Sequence, residues 1–277
     1  MPLPEGYVFS QSSLQDYVDC PRRFQLRHIG RCRWPAPETA DALEFERRME
    51  QGSAFHRLMR QLHTGVPAKV LEPVAKSDPC LSQWWSNYVH TPPRDLPDEV
   101  RLAETTLSAP VGAYRVEARY DLLAGKREGR WVIVDWKTGQ RRGRRTWLTQ
   151  RLQTRIYPLV LVKAGATLNG NVPVSAEQVE MLYWFPEFPL QPERFVYSAE
   201  SLAEDGAFLE ELVREIDACS EDIFPLTENE RLCRYCVYRS LCRDNVQAGP
   251  LDAWEDEERA EADLESMDWE SIAPIAF

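Results

Sequence analysis

The stretch from Trp131 to Gly139, "WVIVDWKTG", constrains the fold of this chain more than any other segment. Its first four residues are apolar without interruption, the mark of an interior β-strand. Side chains of an extended chain alternate between faces. Trp131, Ile133, Asp135 and Lys137 therefore point one way, and Val132, Val134 and Trp136 the other. An aspartate and a lysine thus stand side by side at the end of a buried strand, about 7 Å apart by Cα. Either they form a salt bridge where the strand leaves the core, or they are half of a functional site.

Composition limits the classes to which that strand can belong. With 277 residues and 43% hydrophobic content, the chain can bury one good-sized core, or one core and an appendage. No apolar run approaches the roughly 18 residues of a membrane span, and "MPLPEGYVFSQSS" lacks the basic and apolar regions of a signal peptide. A soluble cytoplasmic protein is expected. Seven cysteines, an odd number in a reducing compartment, argue against a disulfide framework and leave metal binding or burial. No Walker-type phosphate loop occurs, so the chain carries no visible NTPase motor.

The net charge of −11 is unevenly spread. Asp252 to Ser271 holds ten acidic residues and one arginine, leaving the remainder near −2. Within that remainder Arg141, Arg142, Arg144, Arg145, Arg151 and Arg155 follow closely on Lys137. Such a cluster attracts a phosphate backbone whatever the overall sign of the chain, or else it is a solvated face with acidic partners.

Periodicity gives the order of elements. "SQSSLQDYVDCPRRFQLRHIG" reads as a short helix capped by Ser10 or Ser12, stopped at Asp19 by Pro21, then a second helix carrying Phe24 and Leu26. "ADALEFERRMEQGSAFHRLMRQLH" is a long helix with Phe55, Leu58, Met59 and Leu62 on one face and His56 beside it. After the loop "HTPPRDLPDE", Val100–Leu107 and Tyr114–Leu123 alternate as strands around "APVGA", and the strand at Trp131 follows a turn at Gly129. "WLTQRLQTRIYPLVLVKAG" reads as one amphipathic helix with Gln153 and Tyr157 on one side. "EQVEMLYWFPE" and "ERFVYSAE" read as strands, and Ser198 caps a last helix. Helices, three strands, a helix, two strands and a helix predict a mixed α/β fold, one sheet with helices packed on it.

Two constellations carry chemistry. Asp121, Asp135 and His56 form a set that can hold a hard divalent cation with open water positions, and Lys137 can orient a water or balance charge on phosphorus. In "CRYCVYRSLC", Cys233, Cys236 and Cys242 form most of a thiolate metal site. A zinc or iron-sulfur site needs a fourth ligand from Cys20, Cys32, Cys80 or Cys219, and chemistry alone does not choose.

"FSQSSLQDYVDCPRRFQL", "GSAFHRLM", "YDLLA", "VDWKTG", "QTRIY" and the cysteine trio occur in an order that resembles the RecB-like branch of the PD-(D/E)xK nuclease superfamily. That branch includes RecB and AddB nuclease domains and CRISPR-associated RecB-like iron-sulfur exonucleases. The resemblance, over about residues 8 to 245, implies a restriction-endonuclease-like core sheet flanked by helices. It implies His56, Asp121 and Asp135 as ligands of Mg²⁺ or Mn²⁺, Lys137 as the catalytic lysine, and Gln153 and Tyr157 as a Gln-x-x-x-Tyr motif near the DNA. It also implies that Cys20 joins Cys233, Cys236 and Cys242 around a 4Fe-4S cluster tying the N- and C-terminal segments together, with zinc as the alternative. Tyr120 stands where the superfamily name has proline, and Ala118 where glycine is common.

The resulting expectation is a single nuclease domain over 1–248. Within it, 8–34 forms the N-terminal helices, 96–197 the catalytic core, and 198–248 the last helix and cysteines. An acidic, unstructured tail is expected over 249–277. The expected activity is a DNA exonuclease acting on single strands or ends in repair, recombination or CRISPR adaptation, with Arg141, Arg142, Arg144 and Arg145 on the DNA. The alternative is a non-catalytic DNA-binding scaffold for a helicase or CRISPR integrase partner.

Overall fold

The computed structural model describes residues 3–32, 40–139, 142–219 and 223–242; the acidic tail and Arg141 lie outside them. A short strand, β1 (Val8–Ser10), leads into helix α1 (Gln11–Asp19), and α2 (Pro21–Phe24) continues as a π-helical turn, Gln25–Ile29. Helices α3 (Ala40–His63), α4 (Ala68–Ala75) and α5 (Pro79–His90) precede the hairpin of β2 (Val100–Val111) and β3 (Tyr114–Gly125). Then come β4 (Trp131–Trp136), α6 (Arg145–Gln150), α7 (Leu152–Ala164), β5 (Val179–Trp184), β6 (Glu193–Val196), α8 (Ala199–Ala218), α9 (Glu230–Tyr235) and α10 (Arg239–Cys242). Among the described residues no helix is long and apolar enough to cross a membrane.

The six strands form one sheet in the order β1-β3-β4-β5-β6, with β2 along the other side of β3. β4 and β5 are parallel, and the β2–β3, β3–β4 and β5–β6 pairs are antiparallel. Every residue of β4 is buried. Trp131 and Ile133 enter a core with Phe9, Leu14, Leu152, Ile156 and Leu209, whereas Val132, Val134 and Trp136 enter a second core with Phe55, Met59, Trp84 and Tyr88. The strand is therefore covered on both faces, as its apolar run requires.

Several elements differ from the sequence expectation. The hairpin strands run through most of "APVGA" and leave a two-residue turn at Gly112–Ala113, where Gly112 has φ +56°. The helix expected from Trp147 onward is two helices, because Arg151 is extended (φ −66°, ψ 137°). β1, α4, α5, α9 and α10 were not anticipated. β1 is too short to show a period, and α4 carries Pro73 inside it. The sharp stop of α1 is as expected, with Ser10 and Ser13 exchanging side-chain to backbone hydrogen bonds at its start.

The β2–β3 hairpin contains a matched defect. Val100 and Leu102 face the same core as Leu107, Ala109 and Val111, although the two sets have opposite parity. On β3, Val116, Ala118 and Tyr120 share that core with Leu123. Alternation therefore slips by one residue on each strand. The register stays constant, with Ala103 opposite Leu122 and Thr105 opposite Tyr120, so both slips occur at the pair left between them, Glu104 and Asp121. Glu104 has φ +52°, a conformation that costs a non-glycine residue about 1 kcal/mol or more.

The N-terminal helices are held by a buried ion network. Asp16 forms an ion pair with Arg23 (2.7 Å), accepts from Arg27 (3.0 Å) and lies 2.8 Å from His28 Nε2, and Arg23 donates to Asp19 (2.8 Å). Burial raises the Asp16 carboxyl, but Arg23, His28 and Arg27 outweigh it and hold the group far below the ordinary carboxylate range. The opposite end of the chain joins this unit. Arg22 N–H donates to Pro225 O (3.1 Å), Phe224 N–H donates to Gln25 Oε1 (3.0 Å), and Phe24 stacks on Phe224.

Asp16→Asn leaves buried cations without their anion, and a loss of about 3–5 kcal/mol is expected in denaturant unfolding. Because the folded pKa is depressed, this contribution is fully present above the unfolded value of about 4 and is lost as pH falls toward the folded one. The stability gap between wild type and variant should therefore narrow below about pH 4. A gap independent of pH in that range would rule out the ionised network as its source.

Candidate active site

The defect in the hairpin places two carboxylates where a helix can meet them. α3 buries Phe55, Leu58 and Met59 in the second core, and this orientation brings half-buried His56 over the ribbon. One turn earlier, Gly52 lets the chain after β4 approach closely; a Cβ there would lie 2.8 Å from Thr138 Oγ1. His56 Nδ1 lies 3.2 Å from Asp121 Oδ1, and one ligand atom from each of His56, Glu104 and Asp121 falls within 4.8 Å of the others. All three are partly exposed, so solvent reaches the group. An imidazole and two carboxylates are a donor set suited to a hard divalent cation.

Asp121 also ends the pairing of β3 with β4. The ladder stops at Leu122 opposite Val134, and the Trp136 N–H beyond it donates instead to Asp121 Oδ2 at 2.9 Å. Burial raises the Asp121 carboxyl. The charge and hydrogen bond of His56, the Trp136 N–H and the Lys137 charge together outweigh burial and hold it below the ordinary range. Glu104 has a counter-ion of its own, Arg119 Nε at 2.7 Å from Oε2.

Beside this group lies a second polar knot. Lys137 Nζ is 2.9 Å from Asp135 Oδ2 and donates to Gln153 Oε1 at 2.9 Å. Gln153 Nε2 donates in turn to Asp135 Oδ1. The Lys137 ammonium stands 5.2 Å from the Tyr183 ring centroid. All three knot residues are buried, so each charge is met by protein rather than water. Tyr157, one turn along α7, is buried edge-on against Tyr120, whose hydroxyl donates to Tyr157 O at 3.0 Å. The tyrosine that replaces proline before Asp121 is thus a packing residue.

The sequence-derived residues divide accordingly. His56 and Asp121 meet in the solvent-reached group, while Asp135, Lys137 and Gln153 meet in the knot. Asp135 lies outside the three converging ligands, although Asp121 and Asp135 are the next positions after the last β3–β4 pair. Glu104 was missed. Counting back from the turn at Gly112–Ala113 places it opposite Asp121, a pairing hidden when the first strand is read as ending at Leu107. Arg142 and Arg145 both pair with Glu193, Arg145 lies over the Phe195 ring, and Arg155 pairs with Asp205. The cluster therefore has acidic partners, and a phosphate must compete with them.

Cys20, Cys233, Cys236 and Cys242 line one cavity with Arg23, Leu226, Tyr238 and Arg239. Burial pushes the Cys236 thiol up to about 11, with Cys20 and Cys242 among the groups acting on it. Among the described residues no three cysteine sulfurs gather within 4.8 Å of one another. A tight four-cysteine metal cluster joining the two ends, as the sequence reading expected, is thus not displayed, although the four side chains share a cavity.

The sequence profile described as the PD-(D/E)XK nuclease superfamily matches residues 8–243. Among solved structures, a putative exonuclease from Eubacterium rectale is similar, with a TM-score of 0.51 and 12% identity, covering 88% of this chain and 94% of its own. The crystal structure of SSO0001 is similar at a TM-score of 0.42 and 14% identity, covering 88% and 90%. No curated protein sequence gives a match.

Gln153→Leu keeps much of the side-chain volume but removes the bonds to both Asp135 and Lys137. A stability loss of about 1–3 kcal/mol is expected by denaturant titration. An unchanged midpoint would mean that the ion pair satisfies itself.

Proposed function

The chain belongs to the PD-(D/E)XK nuclease superfamily, and on that premise we propose that it is a divalent-cation-dependent DNA nuclease, an exonuclease acting on single strands or DNA ends. The observation that carries the reading is the convergence of His56, Glu104 and Asp121 beside Lys137. His56, Glu104 and Asp121 would hold the cation, Mg²⁺ or Mn²⁺, with Asp135 as a further candidate from the neighbouring strand. Such a cation polarises a phosphodiester and favours a hydroxide nucleophile near neutral pH.

The protein's own groups do the rest. Lys137, fixed between Asp135 and Gln153, has its ammonium pre-positioned to hydrogen-bond a water or a phosphoryl oxygen, so little reorganisation is needed as charge develops. Tyr157, one turn beyond Gln153 on α7, packs edge-on against Tyr120, the residue before Asp121. Arg142, Arg144 and Arg145, with Arg141, are assigned to the DNA backbone, where phosphates would displace Glu193 from its two arginines.

The cavity shared by Cys20, Cys233, Cys236 and Cys242 is assigned to a 4Fe-4S cluster. Zinc on the same four thiolates is the alternative occupant of that cavity. Thiolate ligands suit the iron of such a cluster, and its bonds would link α1–α2 to α9–α10.

End-labelled single-stranded and duplex DNA should be shortened only with Mg²⁺ or Mn²⁺. Asp121→Ala and Glu104→Gln should each reduce the rate by roughly 10² or more. Wild-type rates in both variants would refute the site. Separately, protein purified anaerobically should be brown. Serine at Cys20, Cys233, Cys236 or Cys242 should remove the visible absorbance, and serine at Cys32, Cys80 or Cys219 should not. Full absorbance in Cys20→Ser would assign the fourth ligand elsewhere.

A further inference from the structure

The two carboxylates of the candidate cation group are neutralised in different ways. Asp121 is met by His56, which belongs to the group itself. Glu104 is met by Arg119, which does not: its guanidinium lies 2.7 Å from Glu104 Oε2, and its side chain is 58% exposed. Arg119 is two residues before Asp121 on β3, at the rim where solvent reaches the group. Glu104 is thus offered a positive charge whether or not a cation is present, and a cation must share or take over that carboxylate.

We propose that Arg119 is a positioning residue with two successive partners, Glu104 in the cation-free protein and a phosphate oxygen of the bound nucleic acid once a cation occupies His56, Glu104 and Asp121. The inference rests on the cation reading given above and adds a substrate contact to it. When a dication draws on the Glu104 carboxylate, the attraction holding the guanidinium there weakens, because the carboxylate's charge is already compensated. The guanidinium then stands at the rim of a positively charged site, beside the position where a phosphodiester would approach. Its planar fork of donors matches two phosphate oxygens, which a lysine at the same place cannot do. The exchange also explains the strain at Glu104. A relaxed strand would keep the regular alternation, whereas φ +52° sets this carboxylate between Arg119 and the cation group.

The signature is a pair of effects of opposite sign. Removing Arg119 frees Glu104, so Mn²⁺ should bind the DNA-free protein about 2- to 5-fold more tightly, the scale of one partly exposed ion pair. In saturating Mn²⁺ the same change should weaken binding of a single-stranded phosphorothioate oligonucleotide about tenfold, the scale of a lost charge-assisted contact. Mn²⁺ affinity can be read from the electron paramagnetic resonance of the free ion, and oligonucleotide affinity from fluorescence anisotropy. Arg115→Gln is the control for charge alone, since Arg115 is on the same strand and exposed but bonds to Ser108. Arg119→Gln should exceed it in both measurements, and Arg119→Lys should restore the Mn²⁺ value while only partly restoring the oligonucleotide value. Effects no larger than those of Arg115→Gln, or both affinities moving in the same direction, would overturn the proposal. If instead wild type, Glu104→Gln and Asp121→Asn all failed to bind Mn²⁺, the cation reading itself would fall, and the role of Arg119 with it.

Discussion

Burial of β4 on both faces is the constraint from which the rest of the architecture follows. Little solvent reaches the end of this strand, so the charges of Asp135 and Lys137 are met chiefly by the protein. Asp135 and Lys137 do this with each other and with Gln153. Gln153 lies in the first turn of α7, just after the chain leaves helical geometry at Arg151, and its bonds to Lys137 and Asp135 hold the start of that helix against the sheet. Thr154, next along, bonds to the Tyr183 hydroxyl and to Leu148 O, tying α6, α7 and β5 together around the same point.

The site lies where the sheet stops being regular. β3 and β4 cease pairing after Leu122 and Val134, and β2 and β3 slip phase together at Glu104 and Asp121. Interrupting a ladder leaves backbone groups to be satisfied, and the Asp121 carboxylate takes the Trp136 N–H. The irregularity therefore creates the site: it turns two carboxylates toward α3 and gives one of them a fixed second contact. Electrostatic balance then comes from His56 and Arg119, both partly solvated. Lys137 is close enough to act on Asp121 while remaining in its buried knot.

The two ends of the described chain meet on the core of the sheet. Asp16 gathers Arg23, Arg27 and His28, and Phe24 stacks on Phe224. Arg23 lines the cavity of Cys20, Cys233, Cys236 and Cys242, so the ion network and the cysteines share a residue. Tyr238, on the same cavity, donates to Cys32 O at 2.9 Å and adds a bond between the ends. Contacts of aromatic rings, ions and backbone thus already connect residues some 200 positions apart, and a cluster bound by the cysteines would add to them.

Much of this is legible in the amino-acid sequence. The alternation in Tyr114–Tyr120, the double-sided run at Trp131 and the capping serines, at Ser10 or Ser12 and at Ser198, are local signals. Each reports which side of an element is buried, and that follows from the period of apolar residues alone. The same signals placed His56 beside an apolar helix face and set Asp135 and Lys137 on one side of a strand. They did not reveal Glu104, whose importance depends on pairing across a turn and on a slip of both strands, nor the engagement of Arg142 and Arg145 with Glu193. Those are relations between elements. Local periodicity determined what each segment hides, whereas which charges meet was decided only when the sheet and helices closed around them, because side chains far apart in sequence become neighbours through the packing of the faces that carry them.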